Sequence, residues 1–191
     1  RRGAVWFPEH LALGAILENA AEAHLDQQSY QLLNRWYGPG TRLTAWVQPD
    51  SGAGTAAGLA VPVAWQNGVA LAAGQTTPAV VAATNDRLLL DLEWQGDGPI
   101  DAELRTSSFW LQDGAGNRWT QVDVTPFAQP APPLDQDAAG AWSNKDRIAM
   151  TIPAGLPPGP YTLMTSLLDA AGRPISVASE APAPFARLGE I

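Results

Sequence analysis

Carboxylates, two histidines and eight tryptophans are the residues of this 191-residue chain whose types could do chemistry. Asp91 and Glu93 are alternate residues of the segment RLLLDLEWQ and share one strand face. Two carboxyls hydrolyse a glycosidic bond when they flank it at a set separation. Alternate residues on a strand point the same way, so this pair reads as a solvated face, and Asp97, Asp101 and Glu103 read alike. Asp113 and Asp169 stand in turns where calcium could bind, but neither loop has the carboxylate density calcium needs. They are expected to close turns by accepting backbone N–H bonds. His10 and His24 have no metal-ligand spacing, so no metal site is expected. Gly52-x-Gly54-x-x-x-Gly58 is followed by Leu59-Ala60-Val61-Pro62-Val63, which opens no helix, and is not a dinucleotide loop. No nucleophile elbow or phosphate loop occurs, and neither a catalytic residue nor a cofactor is expected.

Tryptophan stacks on the apolar faces of sugars. Trp65 and Trp94 read as core, whereas Trp110, Trp119 and Trp142 lie near loops or on alternating strands. Those three are the candidate sugar platform. Cysteine is absent, which excludes disulfides, thiolate nucleophiles and Cys-ligated zinc. The net charge is −8, with no basic cluster after Arg1 and Arg2, which argues against nucleic acid and anionic headgroups as partners. Apolar runs are only a few residues long, so no transmembrane segment is expected. A start of Arg1-Arg2-Gly3 reads as a processed chain or a piece of something larger.

The elements that must position these residues are mostly strands. Eighteen glycines and 17 prolines favour short strands and turns. Gly3–Phe7 reads as a short strand. Leu11–Trp36 reads as a helix, with Leu17, Ala21, Leu25, Leu32 and Trp36 near one face and Glu18, Glu22 and Asp26 forming a solvated stripe on another. Gly38-Pro39-Gly40 stops that helix, and Thr41–Val47 alternates as a strand. Strands are then expected at Leu59–Trp65, Val69–Gly74, Val80–Ala83, Arg87–Trp94, Ala102–Leu111, Arg118–Val122, Arg147–Ile152, Tyr161–Asp169 and Ile175–Val177. Two hairpins, at Leu111–Gly116 and Leu167–Gly172, share the pattern Leu-x-Asp-x-x-Gly, and Thr125–Gly140 reads as an irregular excursion. The fold class is mainly β: an immunoglobulin- or fibronectin-like β-sandwich preceded by a small strand-helix-strand α/β segment. The segment covers 1–49, a linker 50–58, the β-sandwich 59–180 and a C-terminal tail 181–191.

Several stretches occur in a telling order: LDQQSYQLLNRWY, TRLTAWVQP, the Asn67–Trp94 pair of strands, WLQDGAGNRWTQVD, PAGLPPGPYTLMTSLLD and Gly172–Val177. In this order, residues 25–178 resemble the soluble C-terminal region of bacterial membrane glycosyltransferases of the dolichyl-phosphate-mannose–protein mannosyltransferase type (family 39). Two departures stand out. Trp142 follows a long Ala/Pro/Asp insertion without the family's Thr-x-x-Trp threonine, and Thr84-Asn85-Asp86 replaces Pro-Gly-Asp. The resemblance implies a non-catalytic accessory domain on the extracytoplasmic face of the membrane, contacting acceptor or glycan. Its partner would be the membrane-embedded rest of the parent chain, where the transferase chemistry would reside; no catalytic residue carries over. The alternative is a free-standing carbohydrate-binding or adhesion module. The Pro157-Pro158-Gly159-x-Tyr161 step is expected to pin a strand entry, with Tyr161 packing or bonding at a corner.

Overall fold

Strict alternation in Arg87–Asp97 sets the architecture: Leu88, Leu90, Leu92 and Trp94 all turn to one buried face. In the computed structural model, residues 4–10, 15–37, 41–49, 54–81, 86–97, 104–124, 135–136 and 140–191 are described. The elements are β1 (Ala4–His10), α1 (Ala15–Gln28), β2 (Tyr30–Trp36), β3 (Thr41–Val47), β4 (Ala57–Gly58), β5 (Val63–Ala64), β6 (Val69–Thr77) and β7 (Arg87–Asp97). They continue as β8 (Leu104–Gln112), β9 (Arg118–Val124), β10 (Asp135–Gln136), β11 (Ala141–Thr151), β12 (Thr162–Asp169), β13 (Pro174–Ile175) and β14 (Ala186–Glu190).

The strands form two sheets. The larger runs β1-β3-β2-β11-β7-β6-β4, with β5 on β6 and β10 on β11. The smaller runs β13-β12-β8-β9, with β14 on β12. One apolar core joins both: Leu71, Leu90, Trp94, Ile148 and Met150 from the larger sheet meet Phe109, Leu111, Leu163, Leu167 and Leu188 from the smaller. Trp65 and Trp94 lie in it with ring centroids 5.8 Å apart, as their place in the sequence predicts. The protein is therefore mainly β, with two sheets packed over a shared core and one short helix among the described residues.

The helix differs from its expectation. It ends at Gln28, and Tyr30–Trp36 is a strand. Good helix formers there are overridden because β2 gains a ladder with β3 on one side and meets β11 on the other, in parallel, at Gln31 and Ile148. β2 and β3 thus belong to the same sheet as β7 and β11. Residues 50–53 of the expected linker and Ala82–Ala83 of an expected strand lie outside the described residues. Gly58 pairs with Gln75 in the ladder, and Val80 is in no strand. β11 begins well before Arg147, and the expected tail contains β14, which pairs with β12.

The acidic stripe of α1 also differs. Glu22 is 2% exposed, and its Oε2 accepts from Arg42 at 2.6 Å. Asp26 is exposed, as expected, and its Oδ1 accepts the Trp46 indole N–H at 2.7 Å. Glu18's side chain lies outside the described residues. Arg42, Thr44 and Trp46 alternate with Val47, which packs with Tyr30, Leu89 and Ala149 on the outer face of the larger sheet. α1 therefore lies on the core side of that sheet, in the layer of the smaller one.

The two hairpins are built alike. Asp113 Oδ1 accepts from the backbone N–H of Ala115 and Asn117, and Asp169 Oδ1 accepts from Ala171 and Arg173, all within 2.8–2.9 Å. Gly116 and Gly172 supply the left-handed residue, at φ 88° and 74°. The Tyr161 hydroxyl donates to the Pro157 carbonyl at 2.7 Å, pinning the entry to β12.

Candidate functional site

The outer face of the smaller sheet carries a cross-linked cluster of hydrogen-bonding side chains. β8 turns Phe109 and Leu111 into the core, so Ser108, Trp110 and Gln112 point outward. Register places Met164 of β12 and Gln121 of β9 on either side of Trp110, and Ser166 and Asp123 on either side of Ser108. Ser108 Oγ donates to Asp123 Oδ1. Gln121 Nε2 donates to Ser108 Oγ at 3.0 Å and to Asp123 Oδ1 at 2.7 Å. The Trp110 indole N–H reaches Gln112 Oε1 at 3.3 Å. Above Trp110, the Arg118 Cζ is 4.0 Å from the ring centroid, and its Nη1 donates to Gln121 Oε1 at 3.0 Å. Phe185, largely exposed, meets Trp110 edge-on at 6.1 Å.

The three sequence-nominated tryptophans separate. Trp119 is 36% exposed at the hairpin end of β9. Its indole N–H donates to Asp113 Oδ2 at 2.9 Å, which fixes the ring's direction. The hydrogen bonds of Asn117 and Trp119 hold the Asp113 carboxyl down at about 2. Trp110 is only 2% exposed, so it is the floor under Arg118 and offers no open face to a sugar. Trp142 is 4% exposed on the larger sheet. It lies so close over Gly96, its cross-strand partner, that a Cβ there would stand 2.6 Å from Cζ2. The absence of a side chain at Gly96 sinks this ring into the core. Alternation was the signal for Ser108 and Gln112, but the stacking of Arg118 depends on a register shift between β8 and β9. Sequence spacing does not reveal that shift.

Asp91 takes part in a second cluster, on the outer face of the larger sheet. It accepts from the Tyr30 hydroxyl at 3.0 Å and from Gln75 at 3.3 Å, and Arg147 lies at 3.4 Å. Burial and the Asp91 carboxylate push the Tyr30 hydroxyl up to about 12. Glu93 stands on the same face by alternation and makes no facing pair with Asp91. Asp101 and Glu103 lie outside the described residues, as do Gly52 and most of Thr125–Gly140. His24 is exposed on α1, and the side chain of His10 lies outside the described residues.

The third cluster is internal. Asn144 and Asp146 fall in the core-facing row of β11 between Trp142 and Ile148. Asp146 Oδ1 accepts from Asn144 at 3.2 Å. The Trp94 Nε1 and Asp146 Oδ2 atoms are both sealed from solvent and make no hydrogen bond. The residue keeps some exposed surface, but this oxygen has none, and the oxygen governs titration. Burial pushes the carboxyl up to about 7; Trp94 and Asn144 draw it down, and the charge of Asp26 adds to the rise.

Among the described residues no three His, Asp or Glu gather as metal ligands, and no helix is long and apolar enough to cross a membrane. No family model, curated protein or solved structure matches the chain.

Proposed function

We propose that this chain is a non-catalytic, immunoglobulin-like β-sandwich module that contacts a glycan or glycosylated acceptor. Its setting, on this reading, is the extracytoplasmic side of a membrane-bound glycosyltransferase-like protein. The observation that carries the contact role is the outer face of the smaller sheet. There, amides, a hydroxyl and a carboxylate are cross-linked and held in position beside a tryptophan whose ring is fixed by Asp113. Sugars are recognised by such pairs of planar polar groups and aromatic faces, and pre-ordering lowers the entropy lost on binding. The Tyr161–Pro157 bond supports the immunoglobulin-like type, because a tyrosine bonded to backbone just upstream marks the corner of such sandwiches. The order of motifs resembling family 39 proteins supports the setting.

The experiment is an NMR titration of the indole N–H signals with a panel of oligosaccharides. Movement of the Trp119 signal, lost in Trp119→Ala, is the expected result. Oligosaccharides that leave all indole signals in place would remove the contact role. Cell fractionation with an antibody to this chain checks the setting: a large membrane band is expected, and a small soluble one would refute it.

A free-standing adhesion module is the second reading. It is favoured by Trp6, 58% exposed on β1, which is an edge of the larger sheet among the described residues.

A further inference from the structure

Four arginines of the described residues stand within ion-pair distance of a carboxylate: Arg42 with Glu22, Arg147 with Asp91, Arg173 with Asp169 and Arg187 with Glu190. Arg118 does not. Its guanidinium is exposed, sits over the Trp110 ring at 4.0 Å, and donates to a neutral amide oxygen, Gln121 Oε1. Asp123, the carboxylate across from Ser108, is already engaged by Ser108 and Gln121. No carboxylate of the described residues thus stands within ion-pair distance of Arg118; the nearest link, to Asp123, runs through Gln121.

Stacking engages the π-face of a guanidinium and leaves its edge N–H groups pointing away from the ring. That edge is the part that grips a planar oxyanion with two parallel hydrogen bonds. The indole beneath holds the side chain in place, so less rotamer entropy is lost when an anion arrives. Around it the face presents Gln112, Gln121, Ser108 and Ser166, with the Asp123 carboxylate tied to Ser108 and Gln121 and Trp119 tied to Asp113 at the hairpin end. Arg35 lies over the Tyr37 ring at 5.4 Å, but Arg118 is the closer of the two to its ring and stands beside the cross-linked face.

We propose that this face takes an acidic glycan, one bearing a carboxylate or a phosphate, with Arg118 binding the oxyanion and Trp119 the sugar ring. The inference rests on the reading of this face as a glycan surface and names the class of glycan.

The full chain would be titrated with a short uronic-acid oligosaccharide, a phosphorylated sugar, and neutral counterparts of each, following the Arg118 Nε–H and the Trp110 and Trp119 indole signals. Acidic sugars are expected to move all three and to bind on the order of ten-fold more tightly than their neutral counterparts, the effect of one charge-assisted pair. The uronic and phosphorylated arms report which oxyanion is preferred. Arg118→Gln is expected to abolish the ten-fold advantage while leaving neutral binding in place. Arg118→Lys, which keeps the charge but loses the fork, is expected to restore only part of it. Trp119→Ala is expected to weaken acidic and neutral sugars together. An unchanged far-UV spectrum and melting temperature for Arg118→Gln would show that loss of the cover over Trp110 is not the cause. Equal binding of acidic and neutral sugars, with Arg118→Gln silent, overturns the acidic class and leaves the glycan surface standing. Binding of no sugar at all overturns both. An acidic peptide that binds as tightly as the acidic sugar also overturns the proposal.

Discussion

Replacing Asp146 by Asn should stabilise the protein at high pH and change little at low pH. In the native state burial lifts this carboxyl from 3.8 to about 7. The folded chain therefore keeps a proton that the unfolded chain releases above about pH 4. Unfolding releases that proton, so stability falls as pH rises from about 4 to 7 and levels off above the native value. Each pKa unit is worth about 1.4 kcal/mol, and the shift spans about three units, which sets a ceiling of ~4 kcal/mol at pH 8. Relaxation of the protein around a buried charge lowers the effective penalty, so ~2 kcal/mol is the expected gain. Asn keeps the shape and can accept where Asp accepts, but it carries no charge to desolvate. The assay is urea unfolding of both proteins at half-unit steps from pH 4 to 8.5, followed by tryptophan emission. Groups that titrate identically in both proteins cancel in the difference, which leaves Asp146 and its coupling to Asp26. The expected difference is within about 0.5 kcal/mol at pH 4, as for a surface-like change, and grows to its plateau by pH 8. In thermal scans the plateau corresponds to an increase of roughly 4–8 °C for a chain of this size. A difference that does not vary with pH would refute the reasoning, as would an Asn variant less stable than the parent at pH 8.

Gly96→Ala places a Cβ 2.6 Å from the Trp142 ring, and the forced displacement should cost about 1–3 kcal/mol in urea unfolding. Tyr161→Phe removes the bond to the Pro157 carbonyl and should cost about 1 kcal/mol in the same assay, with no effect on the Trp119 signal. Glu22→Ala removes the carboxylate that meets the buried Arg42 at 2.6 Å and should cost ~3 kcal/mol. The Asp113 carboxyl is held at about 2, so the turn should stay closed as pH is lowered to about 3 and open as pH falls through the native value. The chemical shift of the Trp119 indole N–H checks this, because that group donates to Asp113.

The strands with a recurring apolar row are legible in the sequence: β7 places Leu88, Leu90, Leu92 and Trp94 in the core, β8 Phe109 and Leu111, and β12 Leu163 and Leu167. The Leu-x-Asp-x-x-Gly turns are equally legible, since the aspartate and the glycine are both required by local backbone geometry. β2 was hidden because Tyr30–Trp36 continues a helix-favouring composition, and only its neighbours in the sheet make it a strand. The first half of β11 (Ala141–Asp146) is polar and reads as a loop; it is extended because it pairs residue by residue with β7. β14 is short and carries Arg187 and Glu190, and its pairing with β12 leaves no periodic signature. At the candidate site, strand alternation reveals which residues point outward. The depth of Trp142 depends on a glycine in the next strand, and the posture of Arg118 on a register shift, so both are tertiary facts.

β2 meets β11 across a separation of roughly the whole intervening chain; Arg147 and Gln27, which bond across the same seam, are 120 positions apart. During N-to-C synthesis, β1, α1, β2 and β3 emerge long before the strand that completes their sheet. Non-local parallel pairing of this kind forms late, because loop closure must precede the contacts that offset it. Until then β2 presents an open edge that accepts β11 from any copy within reach. Exchange of this N-terminal unit between two chains is therefore the natural misassembly of the fold: a swapped dimer, favoured by crowded refolding and suppressed by dilution.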